Sequence, residues 1–230
     1  MTVGGNQPFF MPYIVYFQLI RAVDTFLIAD EYILGTSGWA NRNKILMQGK
    51  EYQFTLPLIG KSSLKKFNEI SFVEDQSRFL RTVEVCYSKA PYFKSVFPII
   101  REIFLYDDKN LARLVGNSLM LIADYLHFDT KLLYMSEIMG LNSSLKAQDR
   151  VLDFCSVLKT TRYINIWSRA ELYDKKTFQE HGIDLYLIKS KPIEYKQYNH
   201  PFVPNLSMLD VLMFNSVEQT NELLQKYELL

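Results

Sequence analysis

The chain has 230 residues, 48% of them hydrophobic and 22% charged, which suits a globular protein long enough to bury a substantial core. Its 26 basic and 25 acidic side chains leave a formal charge of +1, which argues against nucleic-acid binding driven by bulk charge. No apolar run reaches the roughly 20 residues that cross a bilayer, the first ten residues lack the basic and apolar regions of a signal peptide, and Cys86 and Cys155 show no CxxC or Cys-His spacing, so a soluble, cytoplasmic protein with free thiols is expected.

In chain order, Met1–Gly5 reads as a short first strand, weakened by the Gly4-Gly5 pair. Pro12 stands at a first helical position, with Tyr13, Tyr16, Phe17 and Ile20 following at helical spacing. Asp24–Asp30 is a short apolar run bounded by acids and predicts a buried strand. Lys44–Leu56 predicts a hairpin turning near Gly49. A strand over Phe67–Val73 is followed by three predicted helices, Asp75–Ser88, Tyr92–Leu105 and Asn110–His127. The last carries Leu111, Val115, Leu119, Ile122 and Leu126 on one face.

Alternation then resumes: a strand from Lys131, a helix over Gln148–Leu158, a strand at RYIN, a helix over Lys175–His181 and a strand at DLYLIK. Gly182 falls where a helix C-cap glycine belongs. Lys191–Asn205, with its prolines, predicts a long surface loop, and Val217–Leu229 a final amphipathic helix. Strands alternating with helices define an α/β class: a largely parallel sheet flanked by helices, with a central inserted helical layer and a small β-hairpin. One domain over 1–230 is expected, with 74–128 forming the helical layer.

Several chemistries lack their sequence marks. His127, His181 and His200 have no second ligand at metal-binding spacing, so no metal site is expected. There is no GxGxxG, no GxxxxGK[ST] and no GxSxG. Ser207-x-x-Asp210 reads as a capping box at a helix start rather than a catalytic pair.

The remaining candidates are constellations. Asp30-Glu31 closes the second strand, where carboxylates of a parallel sheet would face a crevice and serve as a base or hold an ammonium or a sugar hydroxyl; a solvated strand end is the equal alternative. Trp39-Ala40-Asn41-Arg42-Asn43 reads as a loop whose Arg42, flanked by two amides, offers donors to a carboxylate or phosphate, with Trp39 as a stacking wall. The alternative is a loop locked by asparagine hydrogen bonds. Lys61, Lys65 and Lys66 could reach a phosphate but more commonly would be solvated.

QPFFMPYIVYF (Gln7–Phe17) and DTFLIADEYILGTSGWANRN (Asp24–Asn43) together resemble the opening signature of the WbqC-like family. The resemblance continues through Tyr87–Pro98, DRVLDFC, YIN with ELYD, and Phe202–Ser216, and so covers essentially the whole chain. The resemblance implies a role in surface-polysaccharide (O-antigen) biosynthesis, as transfer of glycine or another aminoacyl group onto a nucleotide-linked amino sugar. It carries Gln7, Pro8, Pro12, Tyr16, Asp30, Trp39, Asn41, Arg42 and Asn43 as matched positions, with Arg150, Asn165, Tyr173 and Asp210 less closely matched. On this reading Asp30, Glu31, Arg42 and Asn6 stand in catalytic positions. Gln7, Tyr16, Trp39, Asn41, Asn43, Arg150, Asn165 and Tyr173 stand in substrate-binding ones. The acyl donor and any cofactor stay unassigned.

The chain departs from the pattern twice. The family usually has His before Gln-Pro, where this chain has Asn6, and a Gly-Gly pair after YxN, where it has Ser168-Arg169. Asparagine cannot shuttle a proton near neutral pH, so a non-catalytic sugar-nucleotide-binding subunit is the alternative. A looser analogy of layout, to HIGH-type nucleotidyl transferases and pantoate–amine ligases, would imply ATP-dependent amide formation.

Overall fold

The computed structural model describes residues 1–35 and 39–230. Residues 36–38, inside the Asp24–Asn43 signature, lie outside the described residues. The main sheet has six strands: β1 (Thr2–Asn6), β2 (Thr25–Ile28), β7 (Lys131–Tyr134), β8 (Arg162–Ile166), β9 (Asp184–Ser190) and β10 (Tyr227–Leu229). They lie in the order β10-β9-β8-β1-β2-β7, all neighbours parallel except β10, which runs antiparallel to β9. From β1 the chain moves outward through β2 and β7, then returns to β8 on the other side. This is a doubly wound order, and its direction reverses between β1 and β8.

The central position of β1 explains its two glycines. A Cβ on Gly4 would come within 3.0 Å of the Ile164 carbonyl oxygen and 3.1 Å of Leu19, and one on Gly5 within 3.0 Å of the Leu27 carbonyl. The pair that weakens a strand by propensity is what lets this strand sit between β2, β8 and the first helix.

Side-chain alternation on the strands feeds two layers. Phe26, Ile28 and Ile164 face α1 (Ile14–Arg21), while Val3, Leu27 and Tyr163 face α5 (Ala147–Val157) and α6 (Lys175–Glu180). The helices α2 (Ser77–Tyr87), α3 (Phe93–Ile103) and α4 (Leu111–Tyr125) put Val83, Ile100 and Leu119 into the same apolar cluster as α1. The antiparallel hairpin is β3 (Arg42–Met47) with β4 (Lys50–Thr55), turning through Gln48 and Gly49, both at positive φ. Gly182, at φ +71°, follows the C-cap of α6 as the sequence predicts.

Three expectations are corrected. The Phe67–Val73 strand is a 3-10 turn, Phe67–Glu69, followed by the two-residue strand β6 (Ser71–Phe72), which pairs with β5 (Leu58–Ile59). The Glu69 carboxylate accepts the Lys66 N–H at 2.7 Å and closes that turn. The last helix, α8 (Val217–Leu224), stops short of Leu229 because the buried Gln18 side chain donates to the Lys226 carbonyl at 3.2 Å, and Tyr227–Leu229 joins the sheet edge. A short helix α7 (Met208–Phe214) precedes it, buried along its whole length, so it shows no amphipathic period. Ser207 caps α7 by position only. Its hydroxyl makes no cap bond and Asp210 points elsewhere, whereas the capping box forms at Ser216 and Gln219.

Among the described residues no helix is long and apolar enough to cross a membrane.

Candidate functional site

The carboxyl ends of β1 and β8, at Asn6 and Ile166, meet where the strand order reverses. The connection leaving β1 runs to α1 on one face of the sheet and that leaving β8 to α6 on the other, and a crevice opens between them. A cleft of about 390 Å³ opens at this point, between the loop after β1, the start of α1 and the turn after β8. Its walls include Phe9, Tyr13, Tyr16, Trp39 and Arg169. A smaller chamber of about 100 Å³ lies beside it, sharing Asn6 and Arg169 and walled by Gln7, Tyr32, Tyr163 and Tyr173.

Seven of the site residues expected from the sequence border these spaces: Asn6, Gln7, Tyr16, Trp39, Asn43, Asn165 and Tyr173. Asn6 lines both spaces. Its Oδ1 accepts the Gln7 N–H at 2.9 Å, which leaves the Nδ2 side of the amide without a partner among the described residues. The Gln7 side chain lines the chamber. Tyr16 presents its ring to the cleft, and its buried hydroxyl donates to the Gln7 carbonyl at 2.9 Å, tying the loop after β1 to α1. Burial pushes that hydroxyl's pKa far up. Asn165 and Tyr173 wall the chamber, and Trp39, 45% exposed, stands at the rim of the cleft.

The Trp39–Asn43 segment is less a loop than the sequence implies, since Arg42 and Asn43 already belong to β3. Register puts Asn43 opposite Phe54 and turns its side chain inward. The Asn43 amide donates to the Met11 carbonyl at 2.6 Å, and its oxygen accepts the Lys44 N–H at 2.8 Å. Asn41 donates to the Leu56 carbonyl at 2.8 Å. Both amides therefore lock the loop after β1 and the hairpin in place, although Asn43 also borders the cleft. The Arg42 guanidinium lies 5.2 Å from the centre of the Trp39 ring, and the Lys44 ammonium 5.8 Å from it while paired with Glu51 at 2.7 Å.

Asp30, Glu31 and Arg150 form a separate group outside both spaces. Asp30, 1% exposed, is turned toward Ser136 rather than into the crevice, and accepts that residue's N–H at 3.0 Å and its hydroxyl at 2.5 Å. Glu31 makes a tight ion pair with Arg150 and a second, at 3.7 Å, with Lys66. Arg150 is 3% exposed, and its Nη1 makes no hydrogen bond. The strand end is thus an ion-pair node, because the turn Met135–Glu137 after β7 folds over it.

The structure also brings forward residues that pattern alone passed over. Arg169 borders both spaces, is exposed, and has no ion pair or hydrogen bond among the described residues. Its charge is felt by Tyr13 and Tyr173, whose hydroxyl pKa values burial raises and Arg169 draws back. Its only signal in the sequence was the replacement of the family's Gly-Gly. Asp210 is wholly buried, receiving Tyr87 at 2.7 Å, Tyr195 at 2.6 Å and Gln197 at 2.8 Å. Tyr195 and Gln197 belong to the Lys191–Asn205 segment, so that segment is fastened to the core rather than lying loosely on the surface. No group of three His, Cys, Asp or Glu side chains among the described residues is placed to hold a metal.

Fold and crevice together define a doubly wound α/β protein with a ligand-sized cleft at its switch point. Residues 7–222 match the model of the WbqC-like protein family, and the chain belongs to that family. It is 28% identical over 215 residues to the uncharacterized protein Rv1507c of Mycobacterium tuberculosis, an alignment covering 91% of each chain. No solved structure matches it.

Proposed function

We propose that the cleft binds a nucleotide-linked amino sugar, and that the protein transfers an acyl or aminoacyl group to the sugar's amine in surface-polysaccharide biosynthesis. The observation that carries this reading is Arg169. An exposed guanidinium without an ion pair among the described residues stands over an aromatic-walled cleft at the carboxyl ends of β1 and β8. A diphosphate suits its fork of donors, and Phe9, Tyr13 and Trp39 offer faces for a base or a sugar ring. In the reaction the amine nitrogen, once deprotonated, forms a bond to the acyl carbon. The developing oxyanion takes hydrogen bonds from crevice donors, and the donor's leaving group departs.

Asn6 favours a second reading from another class. It occupies the floor of the crevice with a side chain that cannot exchange a proton near neutral pH, which fits a sugar-nucleotide-binding subunit without turnover.

Thermal-shift measurements against nucleotide amino sugars, the matching non-amino sugars, ATP and aminoacyl donors test both readings. The transferase reading expects stabilisation by an amino sugar, and an acylated product by mass spectrometry when a donor is added. Stabilisation without product across the donors leaves the binding subunit. Stabilisation by ATP with adenylate formation replaces both with amide ligation.

A further inference from the structure

The chamber beside the main cleft has a chemistry of its own. Asn165 fixes it. Its Oδ1 accepts the Ile166 N–H at 2.7 Å, so its Nδ2 must face the other way, and the two amide hydrogens go to the hydroxyl oxygens of Tyr163 at 2.8 Å and Tyr173 at 2.6 Å. With the Asn165 amide donating to its oxygen and no acceptor for its own hydrogen among the described residues, Tyr173 has its O–H left to give.

The other polar groups around the chamber point to the same polarity. Asn6 has its oxygen engaged by Gln7 and its NH₂ uncommitted among the described residues. The Tyr32 hydroxyl has no hydrogen bond among the described residues, and Arg169 stands at the mouth. Among the described residues no carboxylate lines the space. Burial raises the pKa of Tyr32 and of Tyr173, so both stay protonated, as donors, at neutral pH. The floor is apolar, formed by Leu27, Ala29 and Phe154.

We propose that this chamber binds the carboxylate or acyl oxygens of a small acid, received by the hydroxyls of Tyr173 and Tyr32 and the amide of Asn6, with its short carbon stem against Leu27 and Ala29. Size follows from volume. About 100 Å³ falls well below the roughly 300–1,000 Å³ of sites that enclose whole ligands, so the chamber takes an end group and not a body. Asn6 and Arg169, shared with the cleft, put the carbonyl carbon at the boundary of the two spaces. This deepens the transferase reading by naming the class of group transferred, and the chamber's chemistry can be tested without turnover.

The test is an NMR titration of the whole protein with acetate, glycine, phenylacetate and methylammonium at constant ionic strength, for the wild type, Tyr173→Phe and Tyr32→Phe. Acetate and glycine are expected to bind, and phenylacetate and methylammonium to fail. Each variant should weaken acetate about 10-fold, the worth of one buried hydrogen bond. The Tyr32 hydroxyl holds nothing else among the described residues, so Tyr32→Phe remains informative if Tyr173→Phe unfolds. Equal affinity for phenylacetate, or unchanged acetate binding by folded variants, overturns the chamber. Acetate binding with no amino-sugar binding in the cleft upholds the chamber and defeats the transferase reading. Amino-sugar binding without acetate binding does the reverse.

Discussion

Ser136 grips Asp30 at two points, giving its backbone N–H to one carboxylate oxygen and its hydroxyl to the other. The grip joins the end of β2 to the turn after β7, and it commits both oxygens of a residue that strand-end logic places equally in a crevice or in solvent. Removing the hydroxyl in Ser136→Ala takes away a hydrogen bond to a buried charge, worth about 2 kcal/mol. Denaturant unfolding is expected to show that loss while ligand affinity in the cleft holds. A variant of full stability and reduced turnover would return Asp30 to a chemical role.

Glu31 and Arg150 make an unequal pair. Arg150 is 3% exposed and Glu31 keeps about a fifth of its side-chain surface. Deleting the acid strands a buried guanidinium, whereas deleting the base leaves an acid that water and Lys66 can still serve. Glu31→Gln is therefore expected to destabilise by about 2–4 kcal/mol, somewhat under the figure for a fully buried pair, and Arg150→Met by less. Thermal melts of the two variants side by side decide it, and the reverse ranking would sink the account.

Arg169 tests the anion site directly. With no ion pair among the described residues to lose, Arg169→Ala should leave the melting temperature unchanged. A diphosphate-bearing ligand should lose roughly 10- to 100-fold in affinity, the range for a charge-assisted hydrogen bond. Calorimetric titration at two salt concentrations adds a second readout, because screening should weaken the wild type more than the variant.

Asp210 predicts a pH dependence of stability. Burial, the largest influence, raises its pKa above the ordinary 3.8, against the pull of hydrogen bonds from Tyr195, Tyr87 and Gln197. The folded state then holds its proton to a higher pH than the unfolded chain. Stability from this group is complete below 3.8 and drains away as pH climbs through the folded value. The advantage of the wild type over Asp210→Asn should accordingly shrink from acid toward neutral pH in urea unfolding. A constant or growing difference would contradict it.

Elements were legible by bounds or by unequal faces. Asp24–Asp30 shows the shortness and acidic bounds of a buried strand, and the helix carrying Leu111 to Leu126 a one-sided period, and both survive into the structure as β2 and α4. Helix α7 was legible only at its start, where Ser207-x-x-Asp210 reads as a helix beginning, since a segment buried on every side has no period to read. The site was half legible. Asn6, Gln7, Tyr16, Trp39, Asn165 and Tyr173 do converge on the crevice, but spacing along a chain cannot tell a carboxylate that faces a cleft from one that faces Ser136. Nor can it show that Arg169, an ordinary surface residue by type, is carried to the switch point by β8.

The pairing of β1 with β8, which joins Val3 to Tyr163, has a kinetic side. One wall of the crevice is made early in the chain and the other waits for most of the intervening sequence to fold between them. Such non-local contacts form slowly and tend to break together with the whole structure. Ligand binding should therefore report on the completed sheet, appearing in refolding only with the last cooperative phase and protecting amides of β1 and β8 in hydrogen exchange as one unit.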